Sequence, residues 1–399
     1  MVSQCFTVYD VLRRNSISHP GGIALVCGAE RLSFTALTRQ IEACAAGLWA
    51  QGVCPGSRVV VAAKNCHRYL WLVGACAALD AAMVPVGGEL GPAGIRGLLE
   101  DTGPAATVVD PSLEKTVVEH CAKGTPTGRL LSFSPGEEAF ICLDSCLDER
   151  GYGRHMAEGG DPFLILPGCD PQGRLRLSVL SHGNALCAAM QLVAALSLSP
   201  TDVCLAAEPF STPVSLILSL AVLAAGGRVV IPENAYPATI LGDIEKEKAT
   251  VMAADADILK ALAQARVARS NAAASLRACL LVSGPESLGG DDSDLYDIVY
   301  NIYPKNETGG VLSLGPRRES PKAFGRPGIL ADVMVADEVG RPAPAGDEGP
   351  VIVRGPLVFS GYWEKGRINK KPLAEGFFRT GDRGFYDHDG LLHLTKYSS

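Results

Sequence analysis

The sequence predicts an α/β protein with two α/β subdomains, each a β-sheet flanked by helices, and a small β-barrel-like subdomain. Apolar residues at helical spacing alternate with short continuous apolar runs along most of the chain. After about residue 315 the pattern changes to short strands separated by glycine and proline turns. A length of 399 residues corresponds to two or three folding units of ordinary size.

The elements of the first subdomain, which we assign to residues 1–165, alternate in type. Leu37, Ile41, Cys44 and Leu48 recur at helical spacing, and Gly52 ends that helix. Continuous apolar runs and periodic segments then predict a strand at 58–62, helices at 69–82 and 93–101, and a strand at 105–109.

The second subdomain is assigned to residues 166–315 and the β-rich third to residues 316–399. A strand is predicted at 162–166, at the boundary between the first two subdomains. Within the second subdomain the pattern predicts strands at 228–231 and 276–282, and helices at 184–196, 214–225 and 259–267. In the third it predicts short strands at 333–336, 350–354 and 391–394.

Composition and charge exclude several classes of protein. Hydrophobic residues make up 47% and charged residues 20%, which excludes a disordered or fibrous chain. The net charge of −7, with no strongly basic stretch, gives no electrostatic basis for nucleic-acid binding. The longest apolar run, Val214–Ala225, is too short to span a bilayer, and residues 1–5 lack the features of a secretory signal. We therefore expect a cytoplasmic protein without a membrane span.

The 13 cysteines do not suggest a metal or disulfide framework. None forms a Cys-x-x-Cys pair, and all lie at or before Cys279. We expect small, buried, reduced thiols. Cys142 and Cys146 are four residues apart and would meet on a helix, which is weak support for a redox pair.

Short motifs in the C-terminal third carry the strongest functional signal. In chain order they are Gly325-Arg326-Pro327-Gly328, the segment 349–356, Gly361-Tyr362-Trp363, the segment 376–382 and Asp387-His388-Asp389-Gly390. Each alone is typical of a turn between strands. Together they resemble the adenylate-forming superfamily of acyl-CoA synthetases, luciferases and peptide-synthetase adenylation domains, and the segment from Leu32 to Asn65 resembles the start of those enzymes.

The resemblance implies the large N-terminal domain of that superfamily. Such enzymes use Mg²⁺ and ATP to convert a small carboxylic acid to an acyl-adenylate, and usually transfer the acyl group to CoA or an acyl-carrier protein. A C-terminal lid of roughly a hundred residues, with a lysine that contacts the transition state, follows in the family. We expect that lid to be absent, because residues 395–399 stand where the hinge begins and Tyr397 takes the place of a ribose-binding arginine.

The phosphate loop of the family has a divergent counterpart at residues 167–177. Ser181-His182-Gly183-Asn184 matches the family's Thr/Ser-His-x-Asn and anchors the comparison, which places Gly173 on a family glycine and Arg176 on the catalytic lysine. A phosphate loop needs free backbone N–H groups and positive charge. Pro171 removes a donor, and we expect the Asp170 carboxylate to repel phosphate, although Arg174 and Arg176 offer another way to bind it.

The nucleotide-binding motif of the family, Asn-x-Tyr-Gly-x-Thr-Glu, has its counterpart at residues 301–307. The resemblance implies that Tyr303 stacks on adenine and that Glu307 is the catalytic Mg²⁺ ligand. Pro304 replaces the glycine, and Asn306 replaces the threonine that contacts the α-phosphate. A lone glutamate is more often a solvated surface residue, so the assignment of Glu307 as a Mg²⁺ ligand depends on its position in the motif.

Three further positions complete the predicted site. Asp382 matches the aspartate that accepts hydrogen bonds from both ribose hydroxyls, and Gly284 lies in a segment that resembles the family's glycine-rich stretch near the adenine and acyl pockets. Phe210 and Ser211 stand where the family has an aromatic–histidine pair beside the carboxylate substrate, so the histidine is lost.

Three hypotheses remain open. The first is a degenerate acyl-CoA-synthetase-like protein, weakly active or inactive alone, which binds an adenylate or acyl ligand. The second is a working ligase with a divergent loop and a lid from a partner chain. The third is a docking or structural domain without a nucleotide site. Side chains that fill the position of the family's nucleotide pocket would favour this hypothesis.

Overall fold

The fold consists of two large sheets flanked by helices and one small antiparallel sheet, which confirms the predicted fold class. The computed structural model describes residues 6–87, 90–120, 124–149, 151, 157–170, 172–268, 273–288, 297–374 and 376–396. The α-helices in these ranges are α1 (Val8–Ser18), α2 (Phe34–Ala50), α3 (His67–Leu79), α4 (Pro92–Thr102), α5 (Glu114–His120), α6 (Leu143–Cys146), α7 (His182–Ala195), α8 (Pro213–Ala224), α9 (Pro237–Glu247) and α10 (Ala256–Ala268).

The first large sheet combines parallel and antiparallel strands. In chain order its strands are β1 (Ile23–Cys27), β2 (Glu30–Ser33), β10 (Val203–Leu205), β11 (Arg228–Ile231), β12 (Val251–Ala254), β13 (Ala278–Leu281), β14 (Val299–Lys305), β15 (Gly310–Pro316) and β16 (Arg326–Pro327). Their spatial order is β16-β15-β14-β13-β12-β10-β11-β1-β2. The strands from β1 to β14 in this order are parallel, and β2, β15 and β16 are antiparallel to their neighbours.

The second large sheet has a parallel half and an antiparallel half. Its strands are β3 (Arg58–Ala62), β4 (Ala82–Pro85), β5 (Ala106–Val109), β6 (Arg129–Ser132), β7 (Ile141–Cys142), β8 (Pro162–Cys169), β9 (Leu175–Ser181), β19 (Gly361–Glu364) and β20 (Arg367–Asn369). They are ordered β20-β19-β9-β8-β4-β3-β5-β6-β7. The antiparallel hairpin β8–β9 carries the segment predicted to be the phosphate loop.

The small sheet is antiparallel and contains β17 (Asp332–Val335), β18 (Gly349–Arg354), β21 (Leu373–Ala374), β22 (Phe377–Tyr386) and β23 (Leu392–Lys396). Strands that are distant in sequence pair within the same sheet. Strands β1 and β2 belong to the first large sheet, whose other strands come from residues after 200, and β19 pairs with β9 in the second large sheet. The division of the chain at residues 165 and 315 remains a prediction.

Helices α3 and α8 lie in the centre of the core. All residues of α8 from Val214 to Ala224 are buried, as expected for a helix that is apolar on every side. The predicted helix at 69–82 is too long, because Asp80 adopts a left-handed conformation (φ 55°) that ends α3 after Leu79. The apolar run then continues as strand β4, which periodicity alone does not distinguish from a buried helix.

Within the described ranges, no helix is both long and apolar enough to cross a membrane. The cysteines in these ranges are free thiols. On α6 the Cys146 thiol donates to the carbonyl oxygen of Cys142 at 3.4 Å, so the two residues do meet at this helix.

The Ser-His-x-Asn motif forms the N-terminus of α7. The Ser181 hydroxyl and the Asn184 side chain cap the helix reciprocally, and Asn184 Nδ2 also donates to the carbonyl oxygens of Pro356 and Val358. The His182 ring is fully buried, stacks on Phe163 at 5.0 Å and accepts from the Val8 backbone N–H at 3.4 Å. Burial lowers the pKa of His182 to about 4.

We predict that the histidine at position 182 makes the protein less stable as the pH falls from about 6.5 to about 4. In this pH range the histidine is protonated in the unfolded chain but stays neutral in the folded protein. Lowering the pH therefore stabilises the unfolded state and decreases the free energy of unfolding. The comparison is between urea unfolding of the unmodified protein and His182→Gln at several pH values, with His388→Gln at an exposed position as the control. The difference in unfolding free energy between the unmodified protein and His182→Gln should become smaller as the pH is lowered. A difference that is constant from pH 7 to pH 5 would contradict the assignment.

Candidate nucleotide-binding site

Asp382 lies at the centre of a buried polar cluster between the small sheet and the first large sheet. Its carboxylate accepts a hydrogen bond from the Tyr303 hydroxyl, and Lys305 Nζ lies 2.9 Å from Asp382 Oδ2. The Asp382 side chain is 0% exposed and the Lys305 side chain 10%. The predicted ribose ligand is therefore already paired with groups of the protein.

Tyr303 is also buried, with 0% exposure. Its ring packs edge-on against Phe324 at 5.9 Å, and Lys305 Nζ lies 5.9 Å from the ring centroid. A ring in this position contacts adenine only if neighbouring groups move. Tyr303 and Asp382 are brought together as the motifs predict, but both are covered by side chains.

The predicted phosphate loop is a tight hairpin turn. The backbone N–H of Gly173 donates to the carbonyl oxygen of Asp170 at 2.8 Å, and Gly173 has φ +75°. The Asp170 carboxylate accepts from the backbone N–H groups of Gln172 at 3.0 Å and Arg174 at 2.9 Å. Asp170 thus takes the donors that a phosphate loop offers to its ligand. Pro171 lies outside the described residues.

The same turn occurs twice more among the residues that the structure describes. Asp337 accepts from the backbone N–H groups of Val339 and Arg341, and Asp387 accepts from those of Asp389 and Leu391. In both turns a glycine three residues after the aspartate has positive φ and donates its N–H back to the aspartate carbonyl. Aspartate at the first position and glycine at the fourth are typical of this hairpin geometry. The β8–β9 connection is therefore an ordinary hairpin turn.

The two arginines of this hairpin are paired with nearby acids. Arg174 Nε lies 2.7 Å from Asp170 Oδ2, and Arg176 lies 3.4 Å from Asp170 and 3.6 Å from Glu364. Burial raises the pKa of the Asp170 carboxyl, but the hydrogen bonds from Arg174 and Gln172 outweigh it and lower the pKa below its usual value. Asp170 is thus an anion held within the turn, and its expected repulsion of phosphate stays a prediction.

Asn306 and Glu307 connect the nucleotide motif with this hairpin. Asn306 Nδ2 donates to the carbonyl oxygen of Pro167 at 3.1 Å, beside the turn. Glu307 Oε1 accepts from the Tyr362 hydroxyl at 2.7 Å, and the Arg176 guanidinium lies 5.5 Å from the centroid of the Tyr362 ring. Burial, and then the Glu307 charge, raise the pKa of Tyr362.

Glu307 offers one carboxylate to a metal ion. In the described part of the chain, no group of three or more His, Cys, Asp and Glu side chains could hold a metal by itself. Mg²⁺ is commonly bound through one or two carboxylates together with substrate phosphates, so the residues present fit an ion that arrives with a nucleotide.

Gly284 lies on the loop after β13, the strand next to β14. It has φ +86°, and a Cβ atom there would lie 2.5 Å from Glu286 Oε1. Arg317, which is 2% exposed, donates to the carbonyl oxygens of Pro285 and Leu288 and so fixes this loop against the first sheet.

Phe210 and Ser211 occupy different surroundings. The Phe210 ring is buried against Tyr69, 5.3 Å between centroids, and its backbone N–H donates to Asn65. Ser211 lines a cavity of about 330 Å³ at the carboxyl ends of parallel strands from both large sheets, together with Lys64, Asn65, Gly87, Asp110 and Pro232 among others. Ligands commonly bind at this edge of α/β sheets.

Sequence reasoning missed Lys305 and Tyr362 as site residues. Lys305 stands at an unspecified position of the nucleotide motif, and Tyr362 lies in a motif that was assigned only to a turn and strand. The Asp-x-x-Gly signature at 170–173 was available in the sequence and identifies the hairpin turn.

Comparison with known proteins identifies the family. Residues 12–363 match the family described as AMP-binding enzyme. The chain belongs to the AMP-binding enzyme family. Feruloyl-CoA synthase from Amycolatopsis sp is 30% identical to this family member over 391 residues, which cover 96% of this chain and 77% of that enzyme. Indoleacetate–CoA ligase from Aromatoleum aromaticum is 26% identical over 95% of this chain and 76% of that enzyme.

Solved structures share the fold of this chain. A candidate long-chain-fatty-acid CoA ligase from Rhodopseudomonas palustris superposes with a TM-score of 0.90 at 31% identity, over 98% of this chain and 99% of that chain. O-succinylbenzoate coenzyme A synthetase (MenE) from Bacillus subtilis, solved in complex with AMP, has a TM-score of 0.82 at 20% identity, over 98% and 78% of the two chains. The second likeness concerns the fold alone.

We predict that Asp382→Ala lowers the unfolding free energy by roughly 3 kcal/mol, because it leaves the buried Lys305 ammonium without this carboxylate. Urea unfolding monitored by circular dichroism measures the effect. Asp332→Ala is the control, since Asp332 pairs with Arg354 on the exposed face of the same sheet and should contribute less than about 1 kcal/mol. The double variant Asp382→Ala/Lys305→Met should lose less than the sum of the single changes, and strict additivity would show that the pair is not coupled.

Proposed function

We propose that this AMP-binding family member binds AMP or an acyl-adenylate and forms adenylates from ATP only weakly by itself. The observation that supports this most directly is the turn at 170–174. There the Asp170 carboxylate already accepts the backbone N–H groups of Gln172 and Arg174. The phosphates of ATP would have to displace a covalently attached anion from its own donors.

Adenylate formation depends on those donors. A carboxylate oxygen attacks the α-phosphorus of ATP, the bond to the leaving pyrophosphate breaks, and negative charge is redistributed over the phosphate oxygens. Donors fixed in advance stabilise that charge, and losing one costs about 3 kcal/mol of transition-state stabilisation. In this chain Asn306 and Arg176 are the groups proposed to contact the phosphates, with Glu307 holding the Mg²⁺ ion that accompanies them.

The proposed acyl substrate is a small carboxylic acid in the cavity lined by Ser211. The next residues, Thr212 and Pro213, lead into α8, whose first turn packs against Gly310: a Cβ at that glycine would lie 3.1 Å from the Val214 backbone nitrogen. The cavity wall is thus close to the segment that carries Asn306 and Glu307. We propose CoA or an acyl-carrier protein as the acceptor and the cytoplasm as the location.

Two other functions have some support. A working ligase that uses a divergent loop and a partner's lid is favoured by the exposure of Arg174 and Arg176, whose side chains are 66% and 36% exposed. A docking domain without a nucleotide site is favoured by the burial of Tyr303 and Asp382. The experiments below separate the three.

We predict that the purified chain shows at most slow carboxylate-dependent exchange of pyrophosphate into ATP. The physical reason is the loss of phosphate donors in the turn at 170–174. The assay uses a panel of aromatic and aliphatic acids, with Glu307→Gln as a control that any slow exchange arises at this site. Brisk exchange with any acid, abolished in Glu307→Gln, would establish the working ligase instead.

We also predict that the unmodified protein binds AMP at least as tightly as ATP, and that Asp170→Gly increases the affinity for ATP relative to AMP. Removing the carboxylate frees the N–H groups of Gln172 and Arg174 and releases Arg174. Calorimetry with both nucleotides measures the ratio. Asp337→Gly is a matched control, because it removes the same side chain from the same type of turn on the small sheet.

Tighter binding of ATP than AMP by the unmodified protein would show that Arg174 and Arg176 bind phosphate despite their pairing with Asp170. Absence of binding of either nucleotide, before and after the Asp170 change, would favour the docking domain.

A further inference from the structure

Asn65 joins the two large sheets at the wall of the cavity that contains Ser211. It follows strand β3 of the second large sheet and is one of the residues that line this cavity. Its Nδ2 donates to the carbonyl oxygens of Ala206 at 3.1 Å and Glu208 at 2.8 Å, and its Oδ1 accepts from the backbone N–H of Phe210 at 2.7 Å. All three partners belong to the connection between β10 and α8 in the first large sheet. One amide side chain therefore fixes the position of that connection.

Ser211 directly follows the backbone that Asn65 holds. Its hydroxyl approaches Gly87 on the opposite wall, where a Cβ atom would lie 3.2 Å from Ser211 Oγ. Among the described residues, no group forms a hydrogen bond with this hydroxyl, so a ligand in the cavity can use it. Both N–H donors of the Asn65 amide, in contrast, are already used within the protein. Asn65 thus acts on an acid through the residues that it holds.

The reacting end of an acid belongs beside Ser211. This residue leads into α8, whose first turn packs against Gly310, three residues after Glu307. In the proposed reaction the carboxylate must approach the phosphate that Asn306 and Glu307 contact. The carboxylate therefore lies at the side of the cavity nearest this segment, where the Ser211 hydroxyl can donate to it in a charge-assisted hydrogen bond.

We propose that Asn65 is a positioning residue for the acid substrate: it holds the connection at 206–210 so that the Ser211 hydroxyl donates to the substrate carboxylate. This inference rests on the proposed function and concerns the acid rather than the nucleotide. Because Asn65 fixes the wall before the acid arrives, little further ordering is needed on binding. Without Asn65, two carbonyl oxygens and one backbone N–H lose this partner, and Ser211 is no longer held against the cavity.

Calorimetry with benzoate, octanoate and AMP as separate probes tests this role. The unmodified protein should bind at least one of the two acids. Asn65→Ala should weaken the binding of that acid at least about tenfold, the effect of one hydrogen bond to a charged group, and should change the affinity for AMP less than about twofold. Asn65→Asp keeps an acceptor for Phe210 but removes both donors, so it should bind the acid no better than Asn65→Ala.

A double variant separates positioning from a general effect on stability. Ser211→Ala removes the proposed contact itself, so Asn65→Ala/Ser211→Ala should bind the acid about as weakly as the weaker of the two single variants. Asn15→Ala is the matched control, because the buried Asn15 amide also donates to a carbonyl oxygen of another element, that of Leu223, at the far end of α8 from Ser211. It should lower the free energy of unfolding in urea and leave the affinity for the acid unchanged.

Several results overturn the inference. They are failure of the unmodified protein to bind either acid, an unchanged acid affinity in Asn65→Ala or Asn65→Asp, and additive effects in the double variant. Should the Asn65 variants fail to fold, Gly87→Ala gives the answer. Its methyl group would press on the Ser211 hydroxyl from the opposite wall, so acid binding should weaken. An unchanged affinity would show that this hydroxyl does not contact the acid.

The inference and the proposed function fail in different ways. Acid binding that depends on Asn65, without binding of AMP, supports the inference and contradicts the proposed function. Binding of AMP together with an acid affinity that Asn65→Ala does not change supports the function and overturns the inference.

Discussion

A carboxylate removed from water must keep its partners, and the packing of the small sheet on the first large sheet depends on one such group. Asp382 is on β22, and its partners Tyr303 and Lys305 are both on β14. An unpaired carboxylate at this depth would destabilise the fold by several kcal/mol. The relative position of the two strands is therefore fixed by the same residues that the family resemblance assigns to the nucleoside.

The hairpin at 170–174 obeys the same constraint with backbone donors. The N–H groups of a turn need acceptors, and here the Asp170 side chain supplies one for Gln172 and another for Arg174. Polar groups at both ends of the site are thus satisfied by the protein. Binding a nucleotide exchanges one set of hydrogen bonds for another, and the net gain from such an exchange is small.

Much of the fold follows from apolar patterns along the chain. The predicted strands at 58–62 and 228–231 have the observed bounds, and helix α8 is buried on every side as its composition requires. Strand β4 was missed, because a short apolar run after a buried helix has no period of its own. The pairing of β1 with β11, about 200 residues later in the chain, is determined by tertiary packing, and the local sequence does not indicate it.

The motifs assigned Tyr303 and Asp382 to one nucleotide site, but they did not indicate what those residues contact. Tyr303 and Asp382 are 79 residues apart in sequence, and Glu307 and Tyr362 are 55 apart. Such pairings depend on how strands of different sheets face each other. The family pattern also leaves the position of Lys305 unspecified, so its pairing with Asp382 could be found only in three dimensions.

The internal partners of Asp382 and Asp170 have opposite effects on stability and on ligand binding. A site that keeps its donors and acceptors free for a ligand is strained or poorly satisfied until the ligand binds, and proteins commonly trade stability for such sites. In this chain Lys305 and Asp170 satisfy those groups internally. The folded state gains their hydrogen bonds, and a ligand must provide equivalent ones to displace them. Asp170 is attached to the turn that it closes, so a phosphate must compete with it for the backbone N–H groups of Gln172 and Arg174.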